Sequence, residues 1–202
     1  MTGAPERPLR IAIALFDRAE ELDFAGPWEV LSYWAIEWPE DGVEVFTVAE
    51  TLDPVACAKG LRVLPDRTWN DAGPIDVLVF PGGIGTRPQL GDERIRSRLR
   101  DLAAGGTLMT SVCTGALVFA DAGLLDGRPA TTYWQQLELL ASLGEKIDVR
   151  PNDRFVDSGE VVTAAGVSAG IDMALHLVRR LHSTDRARDV RRGIQYDPQP
   201  PV

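Results

Sequence analysis

Short apolar runs alternate along the chain with longer segments that have the spacing of helices. Residues 9–16 and 75–80 are nearly continuous in apolar side chains, and residues 43–48 alternate or run apolar. Runs of this kind are typical of strands that are covered on both faces, as in a parallel sheet. Because helical segments follow these strands, the pattern predicts an α/β fold, a three-layer α/β/α sandwich around a mostly parallel central sheet.

Smaller elements complete this pattern. Residues 54–64, with Gly60 near the turn, and residues 154–165 each predict a hairpin. Helices are predicted at 88–104, 133–143 and 171–181, and a further strand at 127–132. No repeat, linker or low-complexity tract divides the chain, so a single domain is expected over residues 1–202, with extended tails at 1–8 and 197–202.

The stretch 107–120 carries the first candidate for chemistry. An apolar run with β-branched residues meets a helix-like run at Cys113, and a strand that turns abruptly into a helix lifts the side chain at the turn out of the sheet. Gly115 leaves room for the turn. Unpaired N–H groups at the helix N-terminus would stabilise a thiolate there. The alternative is a buried, inert cysteine between a central strand and its helix.

Asp23 is a second candidate. It follows the first strand, and Pro27 is expected to open the next helix, so that Asp23 lies in the loop entering that helix. Ligands of open α/β sheets bind at such carboxyl ends of strands. The alternative is a carboxylate that caps the helix or forms a salt bridge.

A glycine-rich loop at 81–85 follows the third strand. Its backbone N–H groups can approach a ligand or a developing negative charge closely. It lacks the Gly-Lys-Ser/Thr ending of a phosphate loop, and a plain turn before the next helix is an equal alternative. In a parallel sheet, the strand ends bring Asp23, the glycines at 82–83 and Cys113 with Thr114 to one rim.

Composition limits the classes of function. Hydrophobic residues make up 45% and charged residues 25%, and no apolar run approaches the roughly 20 residues that span a bilayer. The N-terminus has no signal-peptide core, and the two cysteines are far apart, which favours a cytoplasmic protein with reduced thiols. A net charge of -9 disfavours nucleic acid and favours a small-molecule substrate. No metal site and no cofactor are expected, since the two histidines belong to no ligand cluster.

Other reactive or charged residues have structural interpretations. Cys57 is expected to be a packed or half-exposed structural thiol, because no helix start follows it, and His176 on the helix 171–181 is expected to be packed or hydrogen-bonded. The segment 179–192 carries six arginines and two aspartates, which predicts a solvated helix face.

Six motifs in this order resemble the ThiJ/PfpI superfamily along nearly the whole chain. They are ELDFAGP at 21–27, FPGG at 80–83, SVCTG at 111–115, AGLLDG at 122–127, ATT at 130–132 with Trp134, and AGID at 169–172. The chain is most similar to the isocyanide hydratase branch, also through its YDPQPP tail. The resemblance implies a flavodoxin-like fold of the class I glutamine amidotransferase type and a homodimer.

The resemblance also implies roles for individual residues. It places the nucleophile at Cys113, its acidic partner at Asp23 and the following threonine at Thr114. The backbone N–H groups of Gly83 and Thr114 would form an anion-stabilising pocket, and Val167 falls where the hydratases carry an aliphatic residue that lines the site.

One departure from the superfamily bears on the chemistry. Relatives often read Thr-Thr-His-Trp where this chain has Tyr133 before Trp134, and neither His176 nor His182 lies in a motif that would replace that histidine. Amide hydrolysis must protonate an amine leaving group, which requires a general acid beside the nucleophile, whereas isocyanide hydration expels no amine.

The leading hypothesis is therefore a hydratase that converts an isocyanide to an N-substituted formamide through a thioimidate on Cys113. Asp23 would be the general acid and base, and Thr114 and Gly83 would orient groups and stabilise charge. A small, mostly apolar pocket is expected, with Trp28, Val167 and Tyr133 as wall candidates. The alternatives are a glyoxalase-like or amidase-like enzyme, or a sensor with a reversibly oxidised, low-pKa thiol at Cys113.

Overall fold

Eleven strands form within residues 7–199, the part of the chain that this computed structural model describes. They are β1 (Leu9–Ala14), β2 (Val43–Ala49), β3 (Val55–Ala56), β4 (Arg62–Val63), β5 (Arg67–Thr68), β6 (Val77–Phe80), β7 (Leu108–Val112), β8 (Pro129–Ala130), β9 (Asp148–Val149), β10 (Phe155–Asp157) and β11 (Val161–Ala164). The central sheet has the order β10-β11-β7-β6-β1-β2-β5, and each of its pairings is parallel except β10 with β11. This confirms the mostly parallel sheet.

Helices cover both faces of the sheet. They are α1 (Glu21–Glu37), α2 (Glu93–Ala104), α3 (Gly115–Asp121), α4 (Leu137–Leu143), α5 (Ala169–Leu181) and α6 (Thr184–Gly193), with short 3-10 helices at Pro39–Asp41, Ile84–Gln89 and Trp134–Gln136. Between residues 7 and 199, no helix has the length and apolar character needed to cross a membrane.

Two buried clusters lie on the two sides of the sheet. Alternate side chains of β1 enter opposite clusters, because successive residues of a strand point to opposite faces: Ile11 and Ile13 pack with α1, α5 and α6, while Ala12 and Ala14 pack with α2, α3 and α4. All four are buried. The predicted three-layer α/β/α sandwich is therefore confirmed.

Helix α1 begins earlier than the sequence pattern predicts. Pro27 is not its first residue, since α1 starts at Glu21 and contains Pro27. Pro27 cannot donate a helical hydrogen bond to the Asp23 carbonyl. However, Phe24 and Leu31 on the same helix are buried in the core, and this packing stabilises the first turn. Asp23 consequently lies in the first turn of a helix and not in a loop.

Three other elements also differ from prediction. The helix predicted at 88–104 is divided into the 3-10 helix Ile84–Gln89 and α2, because Gly91 has a φ of 85° and the Asp92 side chain caps α2 by accepting the Arg94 N–H at 2.9 Å. The strand predicted at 127–132 is confined to β8, and the helix predicted at 133–143 begins with a 3-10 turn before α4.

Both predicted hairpins are present as antiparallel pairs, β3 with β4 and β10 with β11. Residues 7–8 and 197–199 lie outside regular secondary structure, as expected of tails. The remaining tail residues, 1–6 and 200–202, lie outside the described part of the chain.

Candidate active site

Cys113 occupies the turn between β7 and α3 and has a φ of 55°, in the left-handed region that favours glycine. Its N–H donates to the carbonyls of Ala164 and Ala165 at 3.1 and 3.0 Å, which ties the turn to β11. A Cβ on Gly115 would lie 2.5 Å from the Phe80 carbonyl oxygen, so the turn accepts only glycine there. Backbone strain of this kind is concentrated at functional sites.

Asp23 is completely buried beside this turn. Its Oδ2 accepts the N–H of Gly82 at 2.9 Å, while Oδ1 is buried and has no hydrogen-bond partner among the described residues. Burial raises the pKa of Asp23 to about 7, and the negative charge of Glu20 adds to this, while the hydrogen bond from Gly82 and the neighbouring Cys113 thiol act in the opposite direction. Asp23 therefore neither caps α1 nor forms a salt bridge within residues 7–199.

The Cys113 thiol is also buried, and its pKa is raised to about 12. Burial is the main cause and the charge of Asp23 the second, while the backbone N–H groups of Thr114 and Val167 lower the pKa. This direction is opposite to the thiolate expected from the helix start. The reason is that α3 has only seven residues and that desolvation outweighs its few N–H groups.

Asp23 and Cys113 consequently titrate as a coupled pair. Between about pH 7 and about pH 12 the pair carries one proton and one negative charge. Because each group shifts the pKa of the other, a proton can pass from the sulfur to the adjacent carboxyl group, which gives the sulfur nucleophilic character without a free thiolate at rest.

The glycine loop holds the carboxyl group and the threonine in place. A Cβ on Gly82 would lie 2.5 Å from the Thr114 nitrogen and 2.9 Å from Oδ2 of Asp23, so any side chain there would displace both. The Gly83 N–H donates to Oγ1 of Thr114 at 2.9 Å, and Thr86 donates to the same Oγ1 at 3.2 Å. The N–H of Gly83 is thus engaged and not free for an anion, which differs from the expected pocket.

Val167 supplies the N–H that faces the sulfur together with that of Thr114. Its φ of 49° is unusual for a β-branched residue, and it places this backbone group beside Cys113. Sequence reasoning identified Val167 only as a wall residue, because a backbone N–H leaves no signal in residue type.

A cavity of about 460 Å³ opens next to Cys113 and Thr114. Val167 and Tyr133 line this cavity, as the sequence predicts. Trp28 does not line it, since this residue of α1 packs against the core instead. A Cβ on Gly166 would lie 2.5 Å from the Tyr133 ring, so the ring stacks directly on the backbone there.

The cavity wall is mostly apolar by area, as the sequence predicts. Polar or charged side chains nevertheless contribute to it away from the Cys113–Thr114 turn, namely Glu20, Lys59, Arg87 and Gln136. They come from the N-cap of α1, the β3–β4 hairpin and the two 3-10 helices near the site. No spacing pattern connects these segments, so they could not be predicted as a group from the sequence.

Neither histidine lines this cavity. His176 Nε2 lies 2.7 Å from Oδ2 of Asp157, and its ring packs against Phe155, which confirms that it is hydrogen-bonded and packed. His182 lies near Asp41. Cys57 is buried in the hairpin, as predicted, with its pKa raised by burial.

A parallel α/β sandwich with a cysteine at a strained strand-to-helix turn defines a recognised class. The chain belongs to the DJ-1/PfpI family, whose sequence pattern matches residues 9–180. It is 39% identical over 193 residues to the isonitrile hydratase of Pseudomonas putida, covering 96% of this chain and 81% of that protein.

Solved structures agree with this assignment. A THiJ/PfpI family protein from Pseudomonas syringae superposes with a TM-score of 0.86 at 31% identity, over 96% of this chain and 78% of the other. Drosophila melanogaster DJ-1beta superposes with a TM-score of 0.82 at 22% identity, over 94% and 99% of the two chains, and shares the fold.

Proposed function

We propose that this protein is an isocyanide hydratase that converts an isocyanide to an N-substituted formamide through a thioimidate on Cys113. The observation that carries the proposal is the buried Asp23–Cys113 pair, which shares one proton and has no histidine on the surrounding wall. The similarity to the Pseudomonas putida isonitrile hydratase supports it.

In the first half of the reaction, the Cys113 sulfur attacks the terminal carbon of the isocyanide. Asp23 accepts the thiol proton and then delivers it to the same carbon, whose lone pair forms the new C–H bond. The product is a thioimidate, with an S–C bond, a C–H bond and a C=N double bond. The N–H groups of Thr114 and Val167 stabilise negative charge that develops on the sulfur.

In the second half, water adds to the thioimidate carbon. Asp23 accepts one proton from the water as its oxygen bonds to carbon and passes that proton to the imine nitrogen, which leaves a hydroxyl on a tetrahedral carbon. Asp23 then removes the hydroxyl proton as the C=O bond forms and the C–S bond breaks, this proton returns to the sulfur, and the formamide leaves. One carboxyl group can serve both halves, because its pKa of about 7 lets it accept and donate near neutral pH.

The site supports the amidase and redox-sensor alternatives less well. An amidase must protonate an amine leaving group, and no histidine lines the cavity to do so. A redox sensor requires an exposed thiol with a lowered pKa, whereas the Cys113 thiol is buried and has a raised pKa.

The test follows formamide production from a simple aromatic isocyanide by ultraviolet absorbance, after subtraction of an enzyme-free blank. Intact mass spectrometry on samples quenched during turnover should show an adduct equal in mass to one isocyanide, located on Cys113. Formamide without any cysteine adduct would reject the covalent route, and no formamide at all would reject the function.

The pH dependence provides a further prediction. Below about pH 7 the pair takes up its second proton and loses the base that accepts the thiol proton. We therefore expect kcat/KM to fall about tenfold per pH unit below about pH 7 and to be level above it. Steady-state assays from pH 5 to pH 9 check this, and a kcat/KM that stayed level down to pH 5 would show that Asp23 titrates as an ordinary carboxyl group.

A further inference from the structure

The polar side chains in the cavity wall require a ligand with hydrogen-bonding atoms, which the isocyano carbon does not supply. An isocyano group offers few hydrogen-bonding atoms, yet Glu20, Lys59, Arg87 and Gln136 all line the cavity. The part of the substrate that can contact these side chains is therefore its substituent.

Two of the four are satisfied by each other. Lys59 contacts Oε1 of Glu20 and lies 3.7 Å from Oε2 of Glu21. The Lys59 backbone N–H also donates to Oε1 of Glu21 at 2.6 Å. The two carboxylates outweigh the single positive charge of Lys59, so this side of the wall has no cation left to bind an anionic ligand.

Arg87 is different. Within residues 7–199 no carboxylate forms a salt bridge with it, and its Nη2 donates only to Oε1 of Gln136, at 2.7 Å. Its Nη1 is shielded from solvent and has no acceptor among the described residues. Arg87 as a whole is only partly buried, but an unsatisfied N–H that is shielded from solvent is costly, and a ligand that supplies an acceptor recovers that cost.

The position of Arg87 fits a role in substrate recognition. It lies on the 3-10 helix Ile84–Gln89, directly after the Gly82–Gly83 loop that contacts Asp23 and Thr114. The guanidinium is permanently charged, and its planar fork matches a carboxylate through two parallel hydrogen bonds.

We propose that Arg87, supported by Gln136, binds a carboxylate on the substituent of the isocyanide, so that the preferred substrates are isocyanides carrying an acidic group. This inference rests on the proposed hydratase function for its substrate. The anion-binding subsite itself rests on Arg87 and its unsatisfied N–H.

The first test compares kcat/KM for 4-isocyanobenzoate with kcat/KM for its methyl ester. The wild-type protein should prefer the carboxylate about tenfold or more, as is typical of a hydrogen bond to a charged group. In Arg87→Gln this ratio should fall to about one, and in Arg87→Lys, which keeps the charge without the fork, it should fall only in part.

Arg150→Gln is the matched control. Arg150 pairs with Asp148 and does not line the cavity, so the variant has the same change in net charge and should keep the wild-type ratio. A wild-type protein without preference for the carboxylate, or an equal loss of preference in Arg150→Gln, would overturn the inference.

A second test does not depend on isocyanide chemistry. In a Cys57→Ser background, the rate of Cys113 alkylation by anionic iodoacetate is divided by the rate with neutral iodoacetamide. We expect Arg87→Gln to lower this ratio about tenfold relative to the parent, and Arg150→Gln to leave it unchanged. An Arg87-dependent ratio without isocyanide turnover would retain the subsite and reject the proposed function. Isocyanide turnover with an alkylation ratio that does not depend on Arg87 would retain the proposed function and reject the subsite.

Discussion

Replacing Cys113 by serine should abolish isocyanide turnover and leave the fold intact. The hydroxyl of serine ionises less readily than a thiol, and at this buried turn Asp23 would have to remove a far less acidic proton. We expect the rate of formamide production to fall roughly 10⁴-fold or more, as on removal of other covalent nucleophiles. The ultraviolet assay measures the rate, and circular dichroism confirms the fold.

Cys57→Ser is the matched control for this variant. Cys57 is a buried free cysteine outside the cavity, so its replacement removes the second thiol without touching the proposed nucleophile. Its rate should stay close to the wild-type rate. A Cys113→Ser protein that kept substantial activity, or a Cys57→Ser protein that lost as much, would contradict the assignment of the nucleophile.

The sheet and the elbow could be predicted from the sequence because their signals are local. The strands β1 and β6 are buried on both faces, so continuous apolar runs mark them, and the run into Cys113 marks the turn. The start of α1 could not be predicted in this way. Proline normally marks the beginning of a helix, and packing of Phe24 and Leu31 in the core explains why α1 begins before Pro27.

The electrostatics of the site were harder to predict than its residues. Motifs identified Asp23 and Cys113, but the pKa of the thiol depends on burial, which no helix-start pattern reveals. The hydrogen bond from Gly83 to Thr114 likewise depends on how two loops meet. Arg87 lay between the glycine-rich loop predicted at 81–85 and the helix predicted at 88–104, and the role proposed for it follows from the absence of a carboxylate partner among the described residues.

The raised pKa values of Asp23 and Cys113 indicate that this site activates its thiol without a positively charged side chain beside it. A Cys–His pair activates its thiol by placing a cation next to it, and the thiolate then exists at rest. The raised pKa of Cys113 instead keeps the thiol protonated at rest, and in the proposed mechanism the proton that leaves the sulfur is held on Asp23 for the carbon. Isocyanide hydration needs that proton at carbon, so the arrangement fits the reaction.

Asp23→Asn should lower turnover on the order of 100-fold or more, because the amide keeps the size and the hydrogen bond to Gly82 but cannot transfer a proton. The acid limb near pH 7 should disappear with it. The pKa of Cys113 should fall, since the charge of Asp23 raises it in the wild-type protein. Thiolate absorbance, followed against pH in a Cys57→Ser background, measures that shift.

Stability gives a measurement that is independent of turnover. The pKa of Asp23 is raised from 3.8 to about 7 on folding, so the folded state holds a proton that the unfolded state releases in this window. The contribution of this carboxyl group is therefore most favourable below pH 3.8 and is lost as the pH rises through about 7, by about 4 kcal/mol in total. Asp23→Asn should lack this loss and be more stable than wild type at pH 8.

Asp92→Asn is the control for this comparison, because Asn caps a helix as well as Asp and Asp92 does not line the cavity beside Cys113. Denaturant unfolding of the three proteins at pH 5 and pH 8 gives the difference directly. If Asp23→Asn turned over isocyanide at the wild-type rate, Asp23 would have no part in proton transfer. If it were inactive but less stable than wild type at pH 8, the carboxylate would be a structural group whose loss damages the site.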